Sequence, residues 1–172
     1  MALIATLVVG ANGATTMGGN SSPLSTPPDR ARFLRLHRSA AAIITGKHSA
    51  NTEAYSKTNV PIYILTRSDL GLSLDHPQMQ SVKIEGNLAE VSRDIQSRIS
   101  GNVVVEAGPQ LLQALIGAGV VEELQLSISP IDGDGNFIEI AELLKNFEIE
   151  SDEVVDGTRL LQGRYRGDTA NS

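Results

Sequence analysis

The segment Val103-Val104-Val105-Glu106-Ala107-Gly108-Pro109, followed by Leu111-Leu112-Gln113-Ala114-Leu115-Ile116, constrains the fold of this chain more than any other. Consecutive valines show no apolar/polar alternation, so the strand they form needs cover on both faces, as an interior strand of a parallel sheet has. Gly108 permits a tight turn, and Pro109 suits the first position of a helix, where a missing N–H costs nothing. The outcome is a strand that ends in a carboxylate and runs directly into an open helix N-terminus. The unpaired amides there, aided by the helix dipole, suit an anion such as a pyrophosphate. Many strand-to-helix turns in α/β proteins carry Gly-Pro for geometry alone, and in that case Glu106 only caps a neighbouring loop.

With 172 residues, 41% of them hydrophobic, the chain is long enough for one domain with a real core. A formal charge of −6, with no basic tract and no aromatic platform, disfavours a nucleic-acid partner and leaves a small molecule as the expected ligand. The absence of cysteine excludes disulfides, a thiol nucleophile and Cys-ligated zinc, and the three histidines lack metal-ligand spacing, so no metal is expected. The apolar start Leu3 to Val9 is too short to span a bilayer and has no basic leader, so it reads as a first strand in a cytoplasmic protein.

Apolar runs alternate with helical periodicity along the chain, which is the pattern of an α/β sheet. Strands are expected at Leu3–Gly10, Ala41–Thr45, Ile62–Thr66, Val82–Glu85, Val103–Glu106 and Glu123–Ser129. Amphipathic crossover helices are expected over Asp29–Arg38 and Leu88–Ile99. Asp156-Gly157, flanked by Phe147–Glu150 and Leu160–Tyr165, is a hairpin signal, so the mostly parallel sheet should end antiparallel. Residues 1–166 should form a single domain and 167–172 a frayed, disordered tail.

Val8-Val9-Gly10-Ala11-Asn12-Gly13 resembles a dinucleotide fingerprint, but that motif needs a helix at once, and Met17–Pro28 is a loop of Gly, Asn, Ser and Pro. No acidic residue ends the next strand either. The glycine-rich loop reads instead as a cover beside a pocket, or as a plain surface loop. Gly46-Lys47-His48-Ser49 offers a backbone turn and a hydroxyl for a phosphate or an amide, or else Ser49 is an ordinary N-cap. Thr66-Arg67-Ser68 joins one cation to two hydroxyls, the chemistry that accommodates a ribose 2′-phosphate and so prefers NADPH to NADH; a solvated turn looks the same. Arg30, Arg32, Arg35 and Arg38 share one helix, and Arg35 and Arg38 share a face fit for a phosphate or simply for solvent.

Taken in order, these segments resemble the reductase domain of the bifunctional riboflavin-biosynthesis deaminase-reductase family, over about Leu3 to Arg166. The most specific parts are Val105-Glu106-Ala107-Gly108-Pro109-Gln110-Leu111 and Gly119-Val120-Val121-Glu122-Glu123-Leu124 with Ser129-Pro130. Ser21-Ser22-Pro23-Leu24-Ser25-Thr26-Pro27 with Asp29-Arg30, and then Leu36-His37-Arg38, are similar to its substrate loop and first helix. The resemblance implies a dihydrofolate-reductase-like fold and an NADPH-dependent reduction of the ribosyl group of a phosphoribosylamino-pyrimidine. It also implies that Ser49 and Glu53 lie by the cofactor, with Gly108, Pro109 and Gln110 at its phosphates. Ser22 and Arg38 would then face the substrate phosphate and Glu106 its pyrimidine, with no residue assigned a catalytic role. The chain departs from the family where Gly10-Ala11-Asn12-Gly13 replaces a usual Ser-x-Asp-Gly, where Ser49 replaces a Thr, and where Tyr55–Pro61 lacks an arginine found in some members. The zinc deaminase half is absent. A reductase of another pyrimidine or pteridine, or a non-catalytic nucleotide-binding paralogue, therefore stands as the alternative. The resemblance also implies a homodimer, with Leu124–Ile128 as its exposed edge.

Overall fold

The computed structural model describes residues 2–52, 58–68 and 77–167. Its strands, in chain order, are β1 (Leu3–Val9), β2 (Ala14–Thr16), β3 (Ala42–Gly46), β4 (Ile62–Thr66), β5 (Met79–Lys83), β6 (Val103–Glu106), β7 (Glu123–Ile128), β8 (Gly135–Phe137), β9 (Phe147–Val155) and β10 (Thr158–Tyr165). Its helices are α1 (Pro27–Ser39), α2 (Lys47–Thr52), α3 (Leu88–Ser97), α4 (Pro109–Gly117) and α5 (Ile140–Leu144). Among the described residues, eight strands make one sheet in the order β5-β4-β3-β6-β1-β7-β10-β9, and β2 pairs with β8 separately. Strands β5 to β7 across the sheet are parallel, and β10 joins β7 antiparallel.

The valine run is the interior strand its composition calls for: β6 pairs with β1 on one side and β3 on the other, and all its residues are buried. Alternation then assigns the two faces. Val103 and Val105 join Leu3, Ala5, Leu112 and Leu115 in the larger core cluster, while Val104 packs with Ile4, Leu36 and Ala40 on the α1 side. The helix α1 starts two residues earlier than its apolar pattern, because the Thr26 hydroxyl caps the Asp29 amide and Pro27 and Pro28 occupy the first turn. At the hairpin between β9 and β10, Asp156 and Gly157 have φ of 47° and 82°, the paired left-handed geometry of a tight two-residue turn.

Three expectations are corrected. The strand Leu124–Ile128 is no edge: it lies inside β7, flanked by β1 and β10, because the terminal hairpin folds back onto it. Among the described residues, the edges of the eight-stranded sheet are β5 and β9. The strand expected at Val82–Glu85 occupies Met79–Lys83, in register with Ile62–Thr66 of β4. The span Met17–Pro28 is less irregular than its composition suggests, since it holds a 3-10 turn at Ser22–Leu24 and the start of α1. Elements β2, β8 and α5 were not anticipated. Residue 167 lies outside any helix or strand, and 168–172 fall outside the described residues. No helix among the described residues is long and apolar enough to cross a membrane.

Candidate active site

Strands β1 and β6 are neighbours, yet their onward connections diverge. From β1 the chain passes through α1 to β3, beyond β6; from β6 it passes through α4 to β7, beyond β1. A crevice opens at the carboxyl ends of two strands whose connections part in this way. A cavity of about 150 Å³ lies there, between Thr6–Val8 of β1, Glu106–Pro109, and Asp29 and Phe33 of α1. Gly19, Asn20 and Ser21 border it from the glycine-rich loop, and His48 and Ser49 from the start of α2.

Glu106 is in register with Thr6 of β1 and Thr45 of β3, so it shares the sheet face of Val104, the face that α1 covers. Its backbone carbonyl accepts a hydrogen bond from the Thr45 hydroxyl at 2.7 Å. Its carboxylate, only 8% exposed, meets Nε2 of His37. The His37 ring in turn lies against Phe33, with centroids 4.3 Å apart, and the Arg30 guanidinium sits 5.3 Å from the Phe33 centroid. Burial, and then the positive charge of Arg30, pull the His37 imidazole below its usual pKa. The neutral ring is favoured as a result, and Nε2 is the ring atom that faces the Glu106 carboxylate. One turn before Phe33, buried Asp29 accepts a 2.6 Å hydrogen bond from the Ser25 hydroxyl. Two buried carboxylates, from α1 and from β6, therefore border the same cavity.

Residues expected from the sequence divide between the cavity and its surroundings. Ser49, Glu106, Gly108 and Pro109 come together on its lining. A Cβ at Gly108 would meet nothing within 4 Å, so the approach to the first amides of α4 is open. Gln110 is exposed in the first turn of that helix. Thr66, Arg67 and Ser68 sit at the carboxyl end of β4, on the same edge of the sheet but outside the cavity lining. There the Thr66 hydroxyl donates to the Ser68 carbonyl and accepts from the Ser68 amide, while Arg67 is exposed. Ser22 is exposed in the 3-10 turn beside Ser21, and Arg38 is exposed in the last turn of α1; neither lines the cavity. Glu53 lies outside the described residues.

Sequence reasoning gave Asp29, Phe33 and His37 no role of their own, although Asp29 and His37 fall in the segments similar to the family's substrate loop and first helix. Their spacing of four marks one stripe of α1, a signal available in the sequence but masked by the arginines between them. It also left Asn12 without a role. The Asn12 side chain ties the β1–β2 turn to the loop after β7, donating to the Gly133 carbonyl at 2.9 Å and accepting from the Gly133 amide at 3.1 Å. Among the described residues, no group of three or more His, Asp or Glu is placed to hold a metal ion.

Comparison with known proteins bears on the fold. No family model matches the chain, and no curated protein matches it by sequence. Solved structures do. A protein from Shewanella sp. PV-4, described as a riboflavin biosynthesis protein, superposes with a TM-score of 0.75 at 15% identity, covering 96% of this chain and 99% of that one. Dihydrofolate reductase from Enterococcus faecalis, complexed with NADP(H), gives 0.69 at 15% identity, with 96% of each chain covered. The diaminohydroxyphosphoribosylaminopyrimidine deaminase/5-amino-6-(5-phosphoribosylamino)uracil reductase of Thermotoga maritima gives 0.70 at 12% identity; 95% of this chain matches, and the match spans 56% of that protein's length. The chain has the dihydrofolate-reductase-like fold.

Proposed function

We propose that the protein is an NADPH-dependent reductase of a phosphoribosylamino-pyrimidine, of the 5-amino-6-(5-phosphoribosylamino)uracil type. The observation that carries this reading is the crevice at the β1–β6 divergence, where the buried Glu106 carboxylate stands two residues before the open N-terminus of α4. The structural likeness to a riboflavin biosynthesis protein, a bifunctional pyrimidine reductase and an NADP(H)-bound reductase supports it.

The residues present suit a dinucleotide along the carboxyl edge of the sheet. The first amides of α4, with Gly108, Pro109 and Gln110, would hold the phosphates, and Ser49 would lie by the cofactor. Arg67, with Thr66 and Ser68, would take a ribose 2′-phosphate. When bound, NADPH supplies the hydride that converts a ribosyl carbon to a ribityl one. The protein's part is alignment: Glu106 accepts hydrogen bonds from the N–H groups of the pyrimidine, and Ser22 and Arg38 would receive the substrate phosphate at the mouth. The protein would act as a homodimer in the cytoplasm.

Loss of NADPH absorbance on adding the phosphoribosylamino-pyrimidine tests the reading. We expect turnover in the wild type and at least a tenfold loss in Glu106→Ala, with the fold retained. Unchanged turnover in that variant refutes the role of Glu106. A second reading, a nucleotide-binding paralogue without catalysis, is favoured by one observation: Asn12, at the place of the usual acidic residue, is engaged in joining two loops. Tight NADPH binding with no turnover on any pyrimidine or folate would establish it.

A further inference from the structure

We propose that His37 is the positioning residue of this pocket, holding the Glu106 carboxylate in the orientation in which it meets the substrate ring. The inference rests on the pyrimidine reading above and deepens it. Its basis is the succession Arg30, Phe33, His37 along α1, which ends on the carboxylate that lines the cavity. Phe33 itself lines the cavity, so the ring that supports His37 is also a wall of the site.

The residue type matters. A buried carboxylate needs a hydrogen-bonding partner, and an arginine or lysine there would satisfy it while cancelling its charge. A neutral imidazole donates one N–H and leaves the anion intact, so Glu106 still attracts the N–H donors of an aminopyrimidine. Among the described residues, Arg30 lies two turns before His37 on α1, Asp29 borders the same cavity from α1, and His48 borders it from α2. Acidification that protonates His37 turns the neutral contact into a closed ion pair, and the carboxylate is then partly spent on its own neighbour. Ligand binding should accordingly weaken on the acid side.

Two measurements test this. The first is calorimetric binding of 5,6-diaminouracil, with NADP+ present, to the wild type, His37→Gln and His37→Phe across the acid-to-neutral range. Glutamine keeps a donor that does not titrate, and phenylalanine keeps the ring against Phe33 without a donor. We expect His37→Phe to lose roughly tenfold or more in affinity at neutral pH. His37→Gln should stay within about threefold of the wild type there and lack the imidazole component of the acid limb. Equal affinities and a shared pH profile in all three proteins overturn the positioning role. Failure of the wild type to bind overturns the pyrimidine reading, and this role falls with it. The second measurement needs no ligand: NMR titration of the His37 ring in the wild type and in Glu106→Gln. Removing the carboxylate charge should move the His37 midpoint further down, since that charge favours the imidazolium. An unmoved midpoint overturns the proposal whatever the ligand data show.

Discussion

Restoring the serine usual in the resembled family at position 10 should harm this protein instead of repairing it. A Cβ added at Gly10 would stand 2.7 Å from the Ile131 carbonyl oxygen and 2.9 Å from the Gly133 amide nitrogen, and both are backbone atoms that cannot swing aside. The loop after β7 must therefore move. That loop is held by the Ala11 amide donating to the Ile131 carbonyl at 3.0 Å and by the two Asn12–Gly133 bonds at 2.9 and 3.1 Å. Overpacking of this kind costs roughly 1–3 kcal/mol, and each loosened hydrogen bond adds about 1 kcal/mol or less where solvent can replace it. We take ~3 kcal/mol for Gly10→Ser, which for a domain of this size is a Tm drop of about 6–12 °C. Thermal and urea unfolding followed by circular dichroism would measure it, with the urea m value unchanged. A Gly10→Ser protein within about 1 kcal/mol of the wild type would refute the reasoning, because the loop would then have room that the backbone contacts deny it.

Three further outcomes follow from the geometry. Arg67→Ala should raise the Kd for NADPH about tenfold and leave that for NADH nearly unchanged, as read by fluorescence titration; equal losses for both would remove Arg67 from the 2′-phosphate. Burial and Arg30 hold the folded His37 below the usual 6.5, so its neutral form is favoured by folding. Its contribution to stability is complete above that unfolded value and is lost as pH falls through the lower folded one, so acid unfolding of His37→Gln should lack this component. Thr45→Val removes a buried 2.7 Å hydrogen bond to the Glu106 carbonyl and should cost about 1–2 kcal/mol in urea unfolding; a neutral result would mean that another donor takes its place.

What could be read in advance was what local chemistry decides. The valine run needs two covered faces wherever it lies, and Asp156-Gly157 makes a tight turn whatever surrounds it. Glu106, Gly108, Pro109 and Ser49 stand out in the sequence for the same reason, since each belongs to a strand-to-helix turn, and all four line the cavity. The short pair β2 and β8 escaped because three residues carry no period, and their pairing is made by a contact more than a hundred positions apart. Leu124–Ile128 shows the opposite failure. An apolar strand announces burial without saying what buries it, and here the covering strand is β10, which arrives last in the chain. The stripe Asp29, Phe33, His37 was visible as a spacing, but its orientation toward a crevice follows from where α1 crosses the sheet, and that depends on β1 and β6 being neighbours.

The polarity along the carboxyl edge argues for one orientation of a bound dinucleotide. At the β1–β6 end stand two buried carboxylates, Asp29 and Glu106, and the imidazole in contact with Glu106, an environment that repels phosphate and attracts the N–H groups of a ring. From β6 the edge passes β3 to β4, two strand spacings or roughly 10 Å, and ends in the exposed cation of Arg67. The open N-terminus of α4 follows β6 directly and borders the same cavity, with the partial positive charge of its dipole. In the proposed reading, a cofactor with phosphates at its middle and a further phosphate at one end would place that end at β4 and its redox ring at the β1–β6 crevice. There it would meet a substrate ring held by Glu106. Reversal of charge at position 67, as in Arg67→Glu, should therefore weaken NADPH binding more than Arg67→Ala does, and an equal effect of the two would show that the phosphate end lies elsewhere.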